Sequence, residues 1–87
     1  MKPKQVKYSP EFVKSLKRLP KNQLKNLAQK EKIFLEDPFD PRLKTHKLKG
    51  KLEGFYSFNV SYHWRIVFHF TGENIYLDTI GTHSIYK

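Results

Sequence analysis

The chain has 87 residues, no cysteine, and 17 Lys and Arg against 8 Asp and Glu, a formal charge of +9. A chain this short buries only about 60 to 65% of its unfolded surface, so one small domain over residues 1–87 with a thin core is expected. The composition excludes a disulfide framework and a Cys-based zinc site, and no run approaches 18 consecutive apolar residues, so no spanning helix is expected.

Gln5-Val6-Lys7-Tyr8 alternates polar and apolar side chains, the pattern of a short edge strand. Ser9-Pro10-Glu11 then opens a helix: the hydroxyl caps, Pro sets the backbone angle at the first helical position, and Glu complements the dipole. Its expected buried stripe is Phe12, Val13, Leu16 and Leu19. After Pro20 the 3.6-residue pattern restarts over 21–36 through Leu24, Leu27, Ala28 and Phe34, which predicts a helical hairpin. Asp37-Pro38 and Asp40-Pro41 end it, because the residue before Pro is pushed out of the helical region. From there to Gly54 the chain reads as a loop.

Three strands are predicted next, at 55–60, 64–70 and 74–82. Tyr56, Phe58 and Val60 share a face of the first; in the second, Trp64, Ile66, Phe68 and Phe70 oppose Arg65, Val67 and His69. In the third, Ile75 and Leu77 oppose Tyr76, Asp78 and Ile80. Ser61-Tyr62-His63 and Thr71-Gly72-Glu73 read as turns. The order β-α-α-β-β-β predicts an α+β fold: an N-terminal strand, a helical hairpin and an antiparallel three-strand meander. With Lys87 directly after the last strand, regulation through displacement of a C-terminal helix is not expected.

A +9 surface attracts polyanions, nucleic acid first among them, and the alternative is a basic surface kept for solubility. Arg65, in mid-strand, either lines a concave anion-binding face or snorkels from the sheet. His83 is either a surface histidine near the terminus or, since the meander sets the end of the last strand beside the start of the second, a partner of Arg65 in one pocket. His46 lies in the loop Lys44-Thr45-His46-Lys47-Leu48-Lys49-Gly50-Lys51, whose lysines form a solvated edge or track phosphates as point charges. His63 and His69 read as structural or solvent-facing. No histidine pair has metal-ligand spacing on a helix, and neither a metal nor another cofactor is expected. Met1-Lys2-Pro3-Lys4 is followed by no apolar signal segment, and a cytoplasmic protein with no membrane association is expected.

Three stretches together resemble the RelE/ParE superfamily of bacterial toxins, with YafQ- and YoeB-type mRNA interferases the most similar: Leu48 to Ser57, Trp64-Arg65-Ile66-Val67-Phe68, and Gly81-Thr82-His83 with Tyr86. The opening Tyr8-Ser9-Pro10-Glu11-Phe12 is also similar to the start of that superfamily, so the likeness covers nearly the whole chain. The resemblance implies a toxin that enters the ribosomal A site, cleaves the mRNA there, and is silenced by a cognate antitoxin. It sets His46 where relatives place a catalytic Glu or His, Arg65 at a strand arginine that contacts the scissile phosphate, His83 at the histidine of the terminal motif, and Tyr86 near a terminal aromatic that positions a base. This chain also departs from the YafQ pattern: Asn59, His63 and Thr79 stand where that branch carries His, Asp and Arg, while Arg65 belongs to the other branch.

Cleavage by attack of the RNA 2′-OH on its own phosphate needs a base at the hydroxyl, positive charge on the phosphoryl oxygens and an acid for the departing oxygen. Imidazole, with an unperturbed pKa of about 6.5, suits both proton roles. The expected set is therefore His46 as base, His83 as acid (the two exchangeable), Arg65 as phosphate clamp and Tyr86 as base-positioning aromatic. Lys44, Lys47, Lys49 and Lys51 steer RNA, and Trp64 is a second stacking candidate. Expected partners are mRNA, the ribosome and an acidic, partly disordered antitoxin that folds on binding. Two alternatives share the fold: a ParE-like DNA gyrase inhibitor and a noncatalytic RNA-binding module.

Overall fold

A computed structural model describes residues 2–86. Its elements are β1 (Gln5–Tyr8), α1 (Pro10–Leu16), α2 (Leu24–Glu36), β2 (His46–Lys47), β3 (Tyr56–Asn59), β4 (Arg65–Thr71) and β5 (Asn74–Gly81), with short 3-10 turns between them. The fold is α+β, as the sequence predicts. The sheet has five strands in the order β1-β5-β4-β3-β2. Two of its features were not legible in the pattern: β1 lies parallel to β5, and the two-residue edge strand β2 forms inside the lysine-rich loop. The expected loop also holds 3-10 turns at Pro41–Leu43 and Gly50–Leu52.

Ser9 caps α1 as its sequence suggests, accepting a hydrogen bond from Phe12 N at 2.9 Å. Its hydroxyl also donates to the Asp78 carbonyl at 2.8 Å, and this ties the helix start to β5. The buried stripe of α1 is Phe12, Ser15, Leu16 and Leu19, an i, i+3, i+4, i+7 set that leaves Val13 46% exposed where burial was expected. Ser15 is held inside by donating to Phe12 O and accepting from Ile80 N. In α2 the covered stripe runs through Leu27, Ile33 and Phe34, whereas Leu24 and Ala28, also expected inside, are exposed. Centred on Phe34, a turn of 3.6 residues sets Leu24 roughly 80° and Ala28 roughly 120° round the same side, beyond the covered arc.

Phe34, Phe58 and Phe68 form the centre of the core. The first two rings stack at 4.5 Å and the third meets Phe34 edge-on at 5.0 Å. Such pairs add about 0.5 to 1.5 kcal/mol beyond the area they bury. Trp64, Ile66, Phe68 and Phe70 all pack on this side, as alternation predicts. Ile80 joins them although strict alternation sets it opposite Leu77. A register shift between Val67 and Phe68 opposes two β4 residues to Thr79 and Leu77, so Asp78 is an extra residue and the phase of β5 flips beyond it. The Gly72-Glu73 hairpin turn has φ +63° at Gly72, a conformation that favours glycine.

Candidate active site

The opposite face of the sheet carries Arg65, Val67 and His69 along β4. Arg65 pairs across the ladder with Asn59 on β3 and Gly81 on β5, and the chain turns immediately after Gly81 into a 3-10 turn, His83–Tyr86. The last strand is thus followed by this turn rather than by the end of the chain. Ile85 folds back so closely that a Cβ at Gly81 would collide with its side chain. Glycine at the head of the Gly-Thr-His motif is what lets the turn carrying His83 lie against the strand.

The result is an open cleft of about 450 Å³ lined by Tyr62, His63, Arg65, Thr82, His83 and Ser84. Arg65 and His83, widely separated in sequence, share it, and the guanidinium donates from Nη1 to the Tyr62 carbonyl at 3.4 Å. That bond and the donation from Val60 N and Ser61 N to Trp64 O hold the β3-β4 turn that forms one wall. Asn59, across from Arg65, has a buried carboxamide oxygen with no hydrogen-bond partner among the described residues.

His46 does not line this cleft. It pairs with Ser57 on the outer strand, on the same face but two strands away and one row along. Spacings of about 4.8 Å between strands and 3.3 Å per residue set its Cα roughly 12 Å from that of Arg65. Its Nδ1 lies 3.0 Å from the Lys44 carbonyl, which can only accept, so Nδ1 carries the proton and Nε2 presents a lone pair in the neutral ring. Lys44 reaches that position with a left-handed φ of 54°, uncommon for a residue with a Cβ. Upstream, Arg42 donates to Asp40 through its side chain and backbone and holds that carboxyl down to about 2.

The lysines divide. Lys47 and Lys49 line a separate cleft of about 420 Å³ with Leu48, Glu53, Phe55 and Tyr56, whereas Lys44 and Lys51 are exposed and do not line it. Trp64 is half-buried against the core rather than presented as a platform. The Tyr86 side chain lies outside the described residues. Sequence reasoning passed over Tyr62 and His63, which read as turn residues. Tyr62 is 85% exposed, and its ring meets the His63 ring edge-on at 4.8 Å. An aromatic three residues before the arginine that opens β4 was the available signal. No group of three His, Asp or Glu side chains placed to share a metal ion occurs among the described residues. No described helix is long and apolar enough to cross a membrane.

A family model described as the bacterial YafQ toxin of type II toxin-antitoxin systems matches residues 4–86. No curated protein matches the chain. Among solved structures, the chain aligns with the Escherichia coli DinJ-YafQ toxin-antitoxin complex at TM-score 0.74 and 20% identity, covering 92% of each chain. The YoeB/ParE toxin from Agrobacterium tumefaciens aligns at TM-score 0.73 and 17% identity, covering 95% of this chain and 99% of that one. The RelBE2 toxin-antitoxin complex from Mycobacterium tuberculosis aligns at 0.74 and 17%, covering 93% and 99%. At these identities the structural likeness establishes the fold.

Proposed function

The chain belongs to the YafQ family of bacterial type II toxins, and from that premise we propose that it is a metal-independent endoribonuclease that cuts mRNA on the ribosome in the cytoplasm. The observation that carries this reading is the shared cleft: the Arg65-Gly81 ladder pair and the fold-back at Gly81 set a guanidinium and an imidazole at one opening. A fixed cation beside a proton donor is what in-line phosphoryl displacement requires of a site without a metal.

In the proposed reaction the neutral His46 accepts the 2′-OH proton at Nε2. The 2′ oxygen attacks the adjacent phosphorus, Arg65 neutralises the phosphoryl oxygens, and the bond to the 5′ oxygen breaks as His83 gives that oxygen a proton. The products are a 2′,3′-cyclic phosphate and a 5′-hydroxyl. The Lys44-held tautomer of His46 supports assigning it the base role and His83 the acid role. Tyr62 offers a ring for a base beside the scissile phosphate. Because His46 stands two strands from the cleft, the substrate must be held in a defined bend. The ribosome supplies that constraint.

The silencing partner is an acidic antitoxin. A relative, YafQ, forms a toxin-antitoxin complex with DinJ, and a +9 surface favours rapid, salt-sensitive association with an acidic chain. The test is incubation with programmed ribosomes and mapping of mRNA ends by primer extension. A-site cuts bearing 5′-hydroxyl ends are expected. An intact message with inhibited supercoiling by DNA gyrase would replace this reading with the ParE-like one, and an intact message with ribosome binding alone would make the chain a noncatalytic module.

A further inference from the structure

A second polar group stands on the same open face, away from the cleft. On one rung of the sheet, Lys7 of β1 pairs with Tyr76 of β5, and Tyr76 with His69 of β4. The three side chains lean together. The Lys7 ammonium lies 5.5 Å over the Tyr76 ring, and the His69 ring stacks on Tyr76 at 5.3 Å with an interplanar angle of 10°. Phe55 closes the far end, edge-on to His69 at 5.2 Å.

The bulge in β5 completes the group. Asp78 is the extra residue, and its carbonyl is taken by the Ser9 hydroxyl. Its carboxylate is turned onto His69, with Oδ2 2.8 Å from Nδ1. A carboxylate only accepts, so Nδ1 carries a proton and the ring's other nitrogen faces outward. Neither His69 Nε2 nor the Tyr76 hydroxyl has a hydrogen-bond partner among the described residues. Both side chains are half-buried, with about a third of His69 exposed. Bulges re-aim side chains, and this one fixes an imidazole between an ammonium-capped phenol and a phenyl edge.

Both flat faces of Tyr76 are already occupied, so the rung offers upturned polar edges rather than a stacking surface. The ammonium and the phenol present donors above the sheet, and the imidazole buttressed by a carboxylate adds a third from Nε2 in its doubly protonated form. That is the chemistry of a phosphate oxygen. Four residues of β4 separate His69 from Arg65, roughly 13 Å at about 3.3 Å per residue. The rows between carry Ser57 and Val67, both buried and neither charged. We propose that Lys7, Tyr76 and His69, held by Asp78, form a second binding site for a backbone phosphate of single-stranded RNA, setting the direction in which the strand leaves the Arg65-His83 cleft. The proposal rests on the reading of the chain as an RNA-acting toxin and names a contact outside the reacting atoms.

The experiment uses a short single-stranded RNA with every 2′-OH methylated, which binds without being cut. Its affinity is measured against salt for the protein, for Lys7→Ala, and for Lys25→Ala on exposed α2, while NMR follows the His69 and Tyr76 ring signals of the unaltered protein. Each phosphate contact contributes about 0.7 to the slope of log affinity on log salt for a single strand. Lys7→Ala should lower the slope by about that amount, Lys25→Ala should leave it in place, and both ring signals should move on titration. Equal slopes for the two variants, ring signals that stay still, or no binding at any salt would overturn the proposal. Because the probe cannot be cleaved, a positive result beside an uncut ribosomal message rejects the nuclease reading alone. Ribosomal cuts with an unchanged Lys7→Ala slope reject the rung alone.

Discussion

The two faces of one sheet divide the work of this protein. On the covered face, Ile66 and Phe68 are 1% and 0% exposed and meet Phe34 and Phe58. One residue away on the same strand, Arg65 and His69 stand on the open face among polar partners. The period of two along a strand lets adjacent residues serve unlike ends. A substitution on the covered face should therefore cost stability, and one on the open face should cost activity.

The sharpest test of that division is His83→Ala. Loss of one acid or base should lower cleavage on programmed ribosomes by about 10² to 10⁴ fold. The melting temperature should hardly move, since His83 is exposed at the chain's last turn. A variant that melts far below the parent would show that the terminal turn also carries the fold. Phe34→Ala is the opposite case, removing a fully buried ring at the meeting point of helix and sheet. It should cost about 3 to 5 kcal/mol by denaturant unfolding, and cleavage per folded molecule should persist at low temperature.

Tyr62→Ala falls between. Losing a stacked base costs about 1 to 3 kcal/mol, so cleavage should drop by roughly 5 to 150 fold with stability unchanged, and Tyr62→Phe should restore most of it. If Phe fails where Tyr succeeds, the phenol rather than the ring face is what the RNA meets. The smallest effect concerns the loop that leads to His46. Arg42 holds the Asp40 carboxyl at about 2, below its usual 3.8. A depressed carboxyl contributes stability that is full above the unfolded value and is lost as pH falls through the folded one. The melting temperature of the parent should therefore fall slightly more than that of Asp40→Asn between pH 4 and pH 2. Identical acid profiles would mean that this exposed pair does nothing for the fold.

Legibility followed range. Ser9 as a cap, the Trp64 to Phe70 alternation and the Gly72 turn were readable because each depends on neighbours within a few residues. Val13 against Ser15, and Ile80 against Thr79, were misjudged because their facing is set by how α1 lies on β5 and by one extra residue in a ladder. Neither leaves a mark in local periodicity. In the cleft, Arg65 and His83 were named from type and motif. Tyr62 was missed because a turn tyrosine looks ordinary until the chain around it is folded.

By itself, then, the amino-acid order determined the α+β class, the apolar face of β4, the basic charge and the presence of imidazole and guanidinium groups whose chemistry suits proton transfer and phosphate binding. Those properties reside in side-chain chemistry and short-range backbone preference. Only the tertiary structure decided that β1 runs parallel to β5, that Asp78 bulges toward His69, that His46 stands two strands from the cleft, and that Gly81 lets His83 fold back beside Arg65. Each is a pairing between distant segments, and strand register is chosen by the packing of the whole sheet.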